Sequence, residues 1–165
     1  MNTVKNVTVI SLVDQIAADF TQVARLAGVE LPNTAIIVEK LPAPHFPPQK
    51  LPVGKVAVYV FARGDQTLKV GKVGTKSHAR YTSQHYNAGS ATSTLAASIL
   101  SDAGAHSLNP DDLVGMGSWI RTNVDRVNFL IDESYGRHVL ALLEAFIQCK
   151  LEPKYEGFKS QAGTA

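Results

Sequence analysis

The sequence predicts an α+β protein with a small three-stranded mixed sheet flanked by helices, preceded by an N-terminal helix and a proline-rich arm. Three observations lead to this prediction. Apolar residues recur at helical spacing near both ends of the chain, and two runs rich in β-branched and aromatic residues, 56–61 and 127–131, have the composition of strands. Five of the eight prolines lie between positions 42 and 52. Strands and helices interleave without strict alternation, which favours an α+β layer.

Composition excludes several classes of protein. The chain has 165 residues, of which 45% are hydrophobic and 18% charged, so a wholly disordered or fibrous protein is excluded. Cys149 is the single cysteine, which excludes a disulfide framework within the chain. Asp14 and Asp19 interrupt the apolar N-terminal stretch, unlike the apolar run of a signal peptide. The longest segment without a charged residue, 81–101, is too polar for a membrane span, and we expect a cytoplasmic protein.

The first fifty residues are expected to form a separate unit, with a helix, a short strand and an arm. Apolar side chains from Leu12 to Ala27 recur at helical spacing, and Gly28 is suited to end the helix. Phe20 and its neighbours either pair between chains, which would make a homo-oligomer, or cover the protein's own domain. Ala35–Val38 is a short apolar run that suits a strand. Proline fixes φ and restricts the residue before it, so the arm must be extended.

The remaining residues, 51–165, are expected to form the second unit. Val56–Phe61 is apolar on both faces, as in a central strand, and a turn at 63–66 joins it to a second strand at Leu68–Val70. Helices are predicted at Ser77–Tyr86, Thr94–Asp102 and Arg137–Leu151, and Pro153 ends the last of them. A third strand is predicted at Val127–Ile131. Asn123, Arg126 and Asn128 form a polar cluster before and within this third strand. Asn128 faces either the candidate site or solvent, and a cap or turn is expected here ahead of a supporting role in the site.

Basic residues are concentrated in one segment. Residues 50–81 hold seven basic residues and one acid, a net charge of +6, whereas the segments before and after carry −1 and −3. A focused basic patch attracts polyanions even when the total charge is only +2. The alternative is a solvated face with lysines for solubility. Hydroxyl, amide and aromatic groups follow, and the candidate nucleic-acid-binding residues are Lys69, Lys76, Tyr81, Gln84 and Tyr86.

Glu144 is the notable acid of the last predicted helix. Leu140 precedes it by four residues and Ile147 follows it by three, so it borders the apolar face. A carboxylate in that place is either paired or functional.

The order of these residues resembles the GIY-YIG nuclease superfamily over roughly residues 55–158. The tyrosine of the first motif corresponds to Tyr59 within Ala57-Val58-Tyr59, and the end of the second motif to Val70-Gly71. The lysine, arginine, histidine and metal-binding glutamate that follow in family members correspond to Lys72, Arg80, His85 and Glu144. The sequence departs from the family at Lys69, which replaces the tyrosine of the second motif. Either Tyr59 acts alone, or Tyr81, Tyr86 or His85 supplies the missing group, or activity is lost.

The resemblance implies a metal-dependent DNA endonuclease. Tyr59 and His85 would activate water, Arg80 and Lys72 would bind the phosphate, and Glu144 would hold Mg²⁺ or Mn²⁺. Double-stranded DNA would be the partner. The alternative is a catalytically inactive nucleic-acid-binding module on the same fold.

Overall fold

The computed structural model describes residues 7–87, 95–109, 111 and 114–155. Within these residues the strands are Ile37–Leu41 (β1), Lys55–Arg63 (β2), Gln66–Val73 (β3) and Asp125–Asp132 (β4). The α-helices are Val9–Leu26 (α1), His78–Thr82 (α2), Leu95–Ser101 (α3), Met116–Asn123 (α4) and Arg137–Leu151 (α5). The α+β class is therefore as predicted.

The sheet differs from the predicted three-stranded mixed sheet. It has four strands in the order β1-β4-β2-β3, and every pairing is antiparallel. The extra strand, Ile37–Leu41, comes from the first fifty residues and pairs with β4. The short apolar run that includes Val38 therefore forms an edge strand of the sheet, although the proline-rich segment suggested a domain boundary at residue 50.

Helices cover both faces of the sheet. Successive strand residues point to opposite faces, so Val58 and Val60 meet α1 and α5, whereas Tyr59 and Phe61 meet α2, α3 and α4. The apolar stripe of α1 is buried within its own chain, and the ring of Phe20 lies 5.7 Å from that of Phe146 on α5. The sequence left two roles open for Phe20, and the structure shows that this side chain covers the sheet of its own chain.

Several element bounds differ from prediction. α1 begins at Val9 rather than Leu12. The predicted helix Thr94–Asp102 begins outside the described residues, and α3 ends one residue before its predicted end, at Ser101. α2 covers only the first half of the predicted helix Ser77–Tyr86. The amides of Ser83 and Gln84 both bond to the carbonyl of Ala79, so the chain leaves the helix in a tight turn.

The proline-rich arm lies extended along the protein, as predicted. It contains neither helix nor strand from position 42 to 54. The amide of Ala43 donates to the carboxylate of Asp125 at 2.8 Å, and the amide of His45 donates to the carbonyl of Arg121 at 2.9 Å. Leu51 is buried, so both ends of the arm are anchored. None of the described helices is long and apolar enough to cross a membrane.

Gly71 lets the ring of Tyr59 cross β3. The two residues are opposite each other in the β2–β3 pairing, and the Tyr59 hydroxyl lies directly over the glycine. A Cβ atom at position 71 would overlap that hydroxyl and its ring carbon. The glycine is thus required by close approach within a strand.

We expect Gly71→Ala to lower the free energy of unfolding by about 1–3 kcal/mol, because the new methyl group overpacks the site. Gly74→Ala is the matched control, since nothing lies within 4 Å of a Cβ there and φ is not positive. Its effect should stay within about 0.5 kcal/mol. Urea denaturation measures both. In a Tyr59→Leu background the cost of Gly71→Ala should shrink, and equal costs in both backgrounds would contradict the contact.

Candidate functional site

Residues that pair across the strands form cross-strand rows. Two neighbouring rows of this kind place polar side chains on the face covered by α2, α3 and α4. One row runs Lys69, Phe61, Arg126, and the next runs Gly71, Tyr59, Asn128, Glu39. Residues after β3 close over these rows. We call the resulting group the buried polar cluster; its members are Glu39, Tyr59, Lys69, Tyr81, His85, Tyr86, Arg126 and Asn128.

Arg126 is the centre of the buried polar cluster, and its side chain is fully buried. Its Nε donates to Asn128 Oδ1 at 2.9 Å, and one terminal nitrogen donates to the carbonyl of Tyr81 at 2.7 Å. The other terminal nitrogen donates to the Tyr86 hydroxyl at 3.3 Å. Every nitrogen of the guanidinium therefore has a partner, as a buried charge requires.

Aromatic rings surround the same guanidinium. Its central carbon lies 5.2 Å from the ring centre of Phe61 and 5.3 Å from that of Tyr81. The rings of Tyr86 and Tyr59 follow at 5.8 and 6.0 Å. These distances are in the cation–π range, where the negative faces of the rings attract a desolvated cation.

Glu39 supplies the nearby negative charge. One oxygen of its carboxylate accepts from Asn128 Nδ2 at 2.6 Å and from the Tyr81 hydroxyl at 2.7 Å. Asn128 thus links Glu39 to Arg126 from within β4, and it does not form the cap or turn that the sequence favoured. Burial and the hydrogen bond to Glu39 raise the pKa of Tyr81 well above its ordinary value. Its phenol stays protonated and donates.

His85 lies against Tyr59 but is sealed from solvent. Its ring centre is 4.6 Å from that of Tyr59 and 5.1 Å from that of Phe61, and its side chain is 1% exposed. Neither ring nitrogen has a hydrogen-bond partner among the residues that the structure describes. Burial, and then the charges of Lys69, Arg126 and Arg80, lower its pKa to about 3. The expectation that His85 activates water is at odds with this neutral, enclosed ring.

The structure also buries three of the residues expected to bind nucleic acid. Lys69 is 2% exposed, Tyr81 1% and Tyr86 5%, so none of them presents a surface to a base or a phosphate. The hydroxyls of Tyr81 and Tyr86 are engaged with Glu39, Arg126 and His45, and neither is free to replace the missing motif tyrosine. Gln84 is half-buried, and Lys76 alone of the five is well exposed.

Lys72 and Glu144 lie on the opposite face of the sheet from Tyr59. Lys72 pairs with Val58, whose side chain points toward α5, and its Nζ donates to Glu144 Oε2 at 2.5 Å. Tyr59 is the next residue along β2 and points the other way. The structure therefore does not bring the five expected catalytic residues into one cleft: Tyr59 and His85 are in one layer, Lys72 and Glu144 in the other.

Exposed cations follow the end of β3. Lys72 keeps 44% of its side chain exposed, and Lys76 and Arg80 are exposed in the turn and in α2. Neither Lys76 nor Arg80 forms an ion pair with a residue that the structure describes. The sequence from 66 to 101 contains no Asp or Glu. We call Lys72, Lys76 and Arg80 the cationic edge, because β3 is the last strand of the sheet.

Glu144 is the expected ligand for Mg²⁺ or Mn²⁺. Among the described residues no group of three or more His, Cys, Asp or Glu side chains converges on a metal-sized site. A single carboxylate can hold a hard dication that keeps several waters. The Glu144 carboxylate, however, is 18% exposed and already bonded to the Lys72 ammonium, which competes with a cation for the same oxygen.

Comparison with known proteins gives no relatives. No protein-family model matches the chain, and no curated protein or solved structure matches it either.

The pKa of His85 predicts a pH dependence of stability. Its ordinary value of 6.5 holds in the unfolded chain, whereas the folded value is about 3. As pH falls, the unfolded chain binds the proton first, so this contribution to stability is complete above pH 6.5 and is lost progressively toward pH 3.

The variant His85→Phe keeps an aromatic ring and removes the titration. Between pH 7 and 5, above the range of the carboxylates, the free energy of unfolding should fall more steeply in the wild type than in the variant, by up to about 1.4 kcal/mol per pH unit. The substitution changes this one side chain, so the difference between the two pH profiles isolates His85. Parallel profiles from urea titrations at each pH would refute a buried neutral His85.

Proposed function

We propose that the protein binds double-stranded DNA through the cationic edge. The observation that carries this proposal is the exposure of Lys76 and Arg80 without an acidic partner among the described residues, next to Lys72 at the end of β3. Ammonium and guanidinium groups of this kind bind phosphates and release the counterions of DNA.

A second candidate is the metal-dependent endonuclease that the GIY-YIG resemblance implies. One observation favours it: the Tyr59 hydroxyl lies over Gly71, and the next residue is Lys72, whose ammonium holds Glu144. The phenol and the carboxylate thus lie on the two sides of one edge strand. Cleavage would require Glu144 to exchange Lys72 for Mg²⁺ or Mn²⁺, and this is why binding ranks ahead of hydrolysis.

We expect Lys76→Ala and Arg80→Ala to weaken binding to a fluorescein-labelled 20-base-pair duplex, because each variant loses a phosphate contact. In fluorescence anisotropy, each should also reduce the slope of log Kd against log salt by about 1. Arg25→Ala is the matched control: Arg25 is an exposed arginine at the end of α1 that pairs with Glu30. If all three variants weaken DNA binding equally, the binding is a non-specific attraction to positive charge and not a site at the cationic edge.

The variant Glu144→Gln separates the two functions. If the protein only binds DNA, the substitution releases Lys72 from its ion pair, so affinity at low salt should rise and no cleavage should appear. If the protein is a nuclease, wild type with Mg²⁺ or Mn²⁺ should nick supercoiled DNA, and Glu144→Gln should abolish nicking. Turnover that is equal in wild type, Glu144→Gln and Tyr59→Phe would assign the cleavage to contamination.

A further inference from the structure

A groove separates the proline-rich arm from the end of α2. We call it the arm groove; its lining residues are Phe46, Pro47, Pro48, Gln49, Thr82, Ser83, Tyr86, Asn87 and Arg121. Its volume of about 470 Å³ is in the range of sites that hold small molecules. No residue that lines it is acidic.

Phe46 gives this groove an exposed aromatic wall. Its side chain is 88% exposed, although it belongs to an anchored segment. Its ring lines the same groove as Arg121, so an exposed face for stacking stands in one groove with a cation. The ring is also free to be replaced without disturbing the fold.

The backbone around Phe46 is held on both sides. His45 is buried, its amide bonds to the carbonyl of Arg121 at 2.9 Å, and its Nε2 lies 2.7 Å from the Tyr86 hydroxyl. Pro47 and Pro48 follow, which fix their own φ and restrict Phe46. A ligand that stacks on this ring would not have to order the arm first, so little binding energy is lost.

The chemistry of the remaining lining suits a nucleotide. Arg121 carries a cation that forms no ion pair with a described residue, which matches a phosphate. Ser83, Thr82 and Gln49 provide hydroxyl and amide groups for base edges or sugar. An aromatic ring beside a positive charge is the combination that binds single-stranded nucleic acid, because every base has a face that stacks.

We infer that the arm groove is a stacking subsite for one unpaired nucleotide, with the base against Phe46 and its phosphate at Arg121. A base within a duplex is already stacked on both faces, so the subsite selects single-stranded DNA, an overhang or an extruded base.

The groove and the cationic edge share α2. α2 has five residues, with Arg80 at the edge and Thr82 lining the groove, and Ser83 follows directly. A strand whose phosphates follow Lys76 and Arg80 therefore reaches Phe46 within a few nucleotides. The inference builds on DNA binding at the edge, but it assigns a different group of residues and a different form of DNA.

The test uses the full chain and a single-stranded decamer with 2-aminopurine at its centre, beside the corresponding duplex. We expect Phe46→Ala to weaken binding to the single strand by about 5- to 150-fold, the loss measured for removal of one stacking ring. Its salt slope should equal that of the wild type, since stacking releases no counterions. Phe46→Tyr should restore the affinity. Leu26→Ala, which removes another highly exposed apolar side chain, should have no effect.

Fluorescence gives a second readout. The wild type and Phe46→Tyr should change the 2-aminopurine emission on binding, and Phe46→Ala should not. Duplex affinity should stay the same in all Phe46 variants, whereas Lys76→Ala lowers it.

Two results would overturn the subsite and leave DNA binding at the edge intact. In the first, Phe46→Ala binds the single strand as tightly as the wild type. In the second, the variant loses duplex and single-strand affinity equally. Phe46-dependent binding of a proline-rich decapeptide, with no binding of the oligonucleotide, would assign the groove to a peptide instead. If the wild type binds neither form of DNA, the proposed function fails together with the subsite.

Discussion

A buried arginine constrains this fold more than any other described residue. Transfer of a guanidinium into the interior costs several kcal/mol unless every donor finds a partner. Arg126 meets that condition with groups from separate parts of the chain: Asn128 on its own strand, the Tyr81 carbonyl of α2 and the Tyr86 hydroxyl beyond it. Glu39 on β1 completes the set through Asn128. The strand from the first fifty residues is thereby tied to the centre of the sheet.

The same network positions both proposed binding surfaces. Because Tyr81 donates to Glu39 and its carbonyl accepts from Arg126, α2 is fixed over the sheet, and Arg80 is held beside it at the cationic edge. The Tyr86 hydroxyl lies between Arg126 and His45, so the arm groove depends on the same centre. A rigid interior of this kind orients side chains at the surface without a contact to the ligand.

The sequence predicted the elements whose patterns are local. The bounds of α5, Arg137–Leu151, were predicted in full, and the strands at 56–61 and 127–131 and the extended arm were located correctly. α4 was not predicted, because Met116–Asn123 contains Gly117 and polar residues with weak helix propensity. Gly117 is explained by tertiary packing: a Cβ there would overlap the Tyr86 carbonyl. The sequence placed Asn128 within the third strand but Arg126 before it, and it indicated neither that the two share one face of β4 nor that both are fully buried.

The motif residues occur in the expected order along the chain, yet the structure does not bring them to one site. The face on which a strand residue lies depends on its exact spacing as well as on its order. Lys69 and Gly71 are two positions apart and share the face of Tyr59, whereas Lys72 is offset by one residue and points to α5. Side chains on opposite faces of an interior strand could never meet one ligand. β3, however, is an edge strand, and a duplex lying along it would contact groups from both faces. The Lys72–Glu144 pair and the Tyr59 hydroxyl are therefore separated by one strand rather than by the whole sheet.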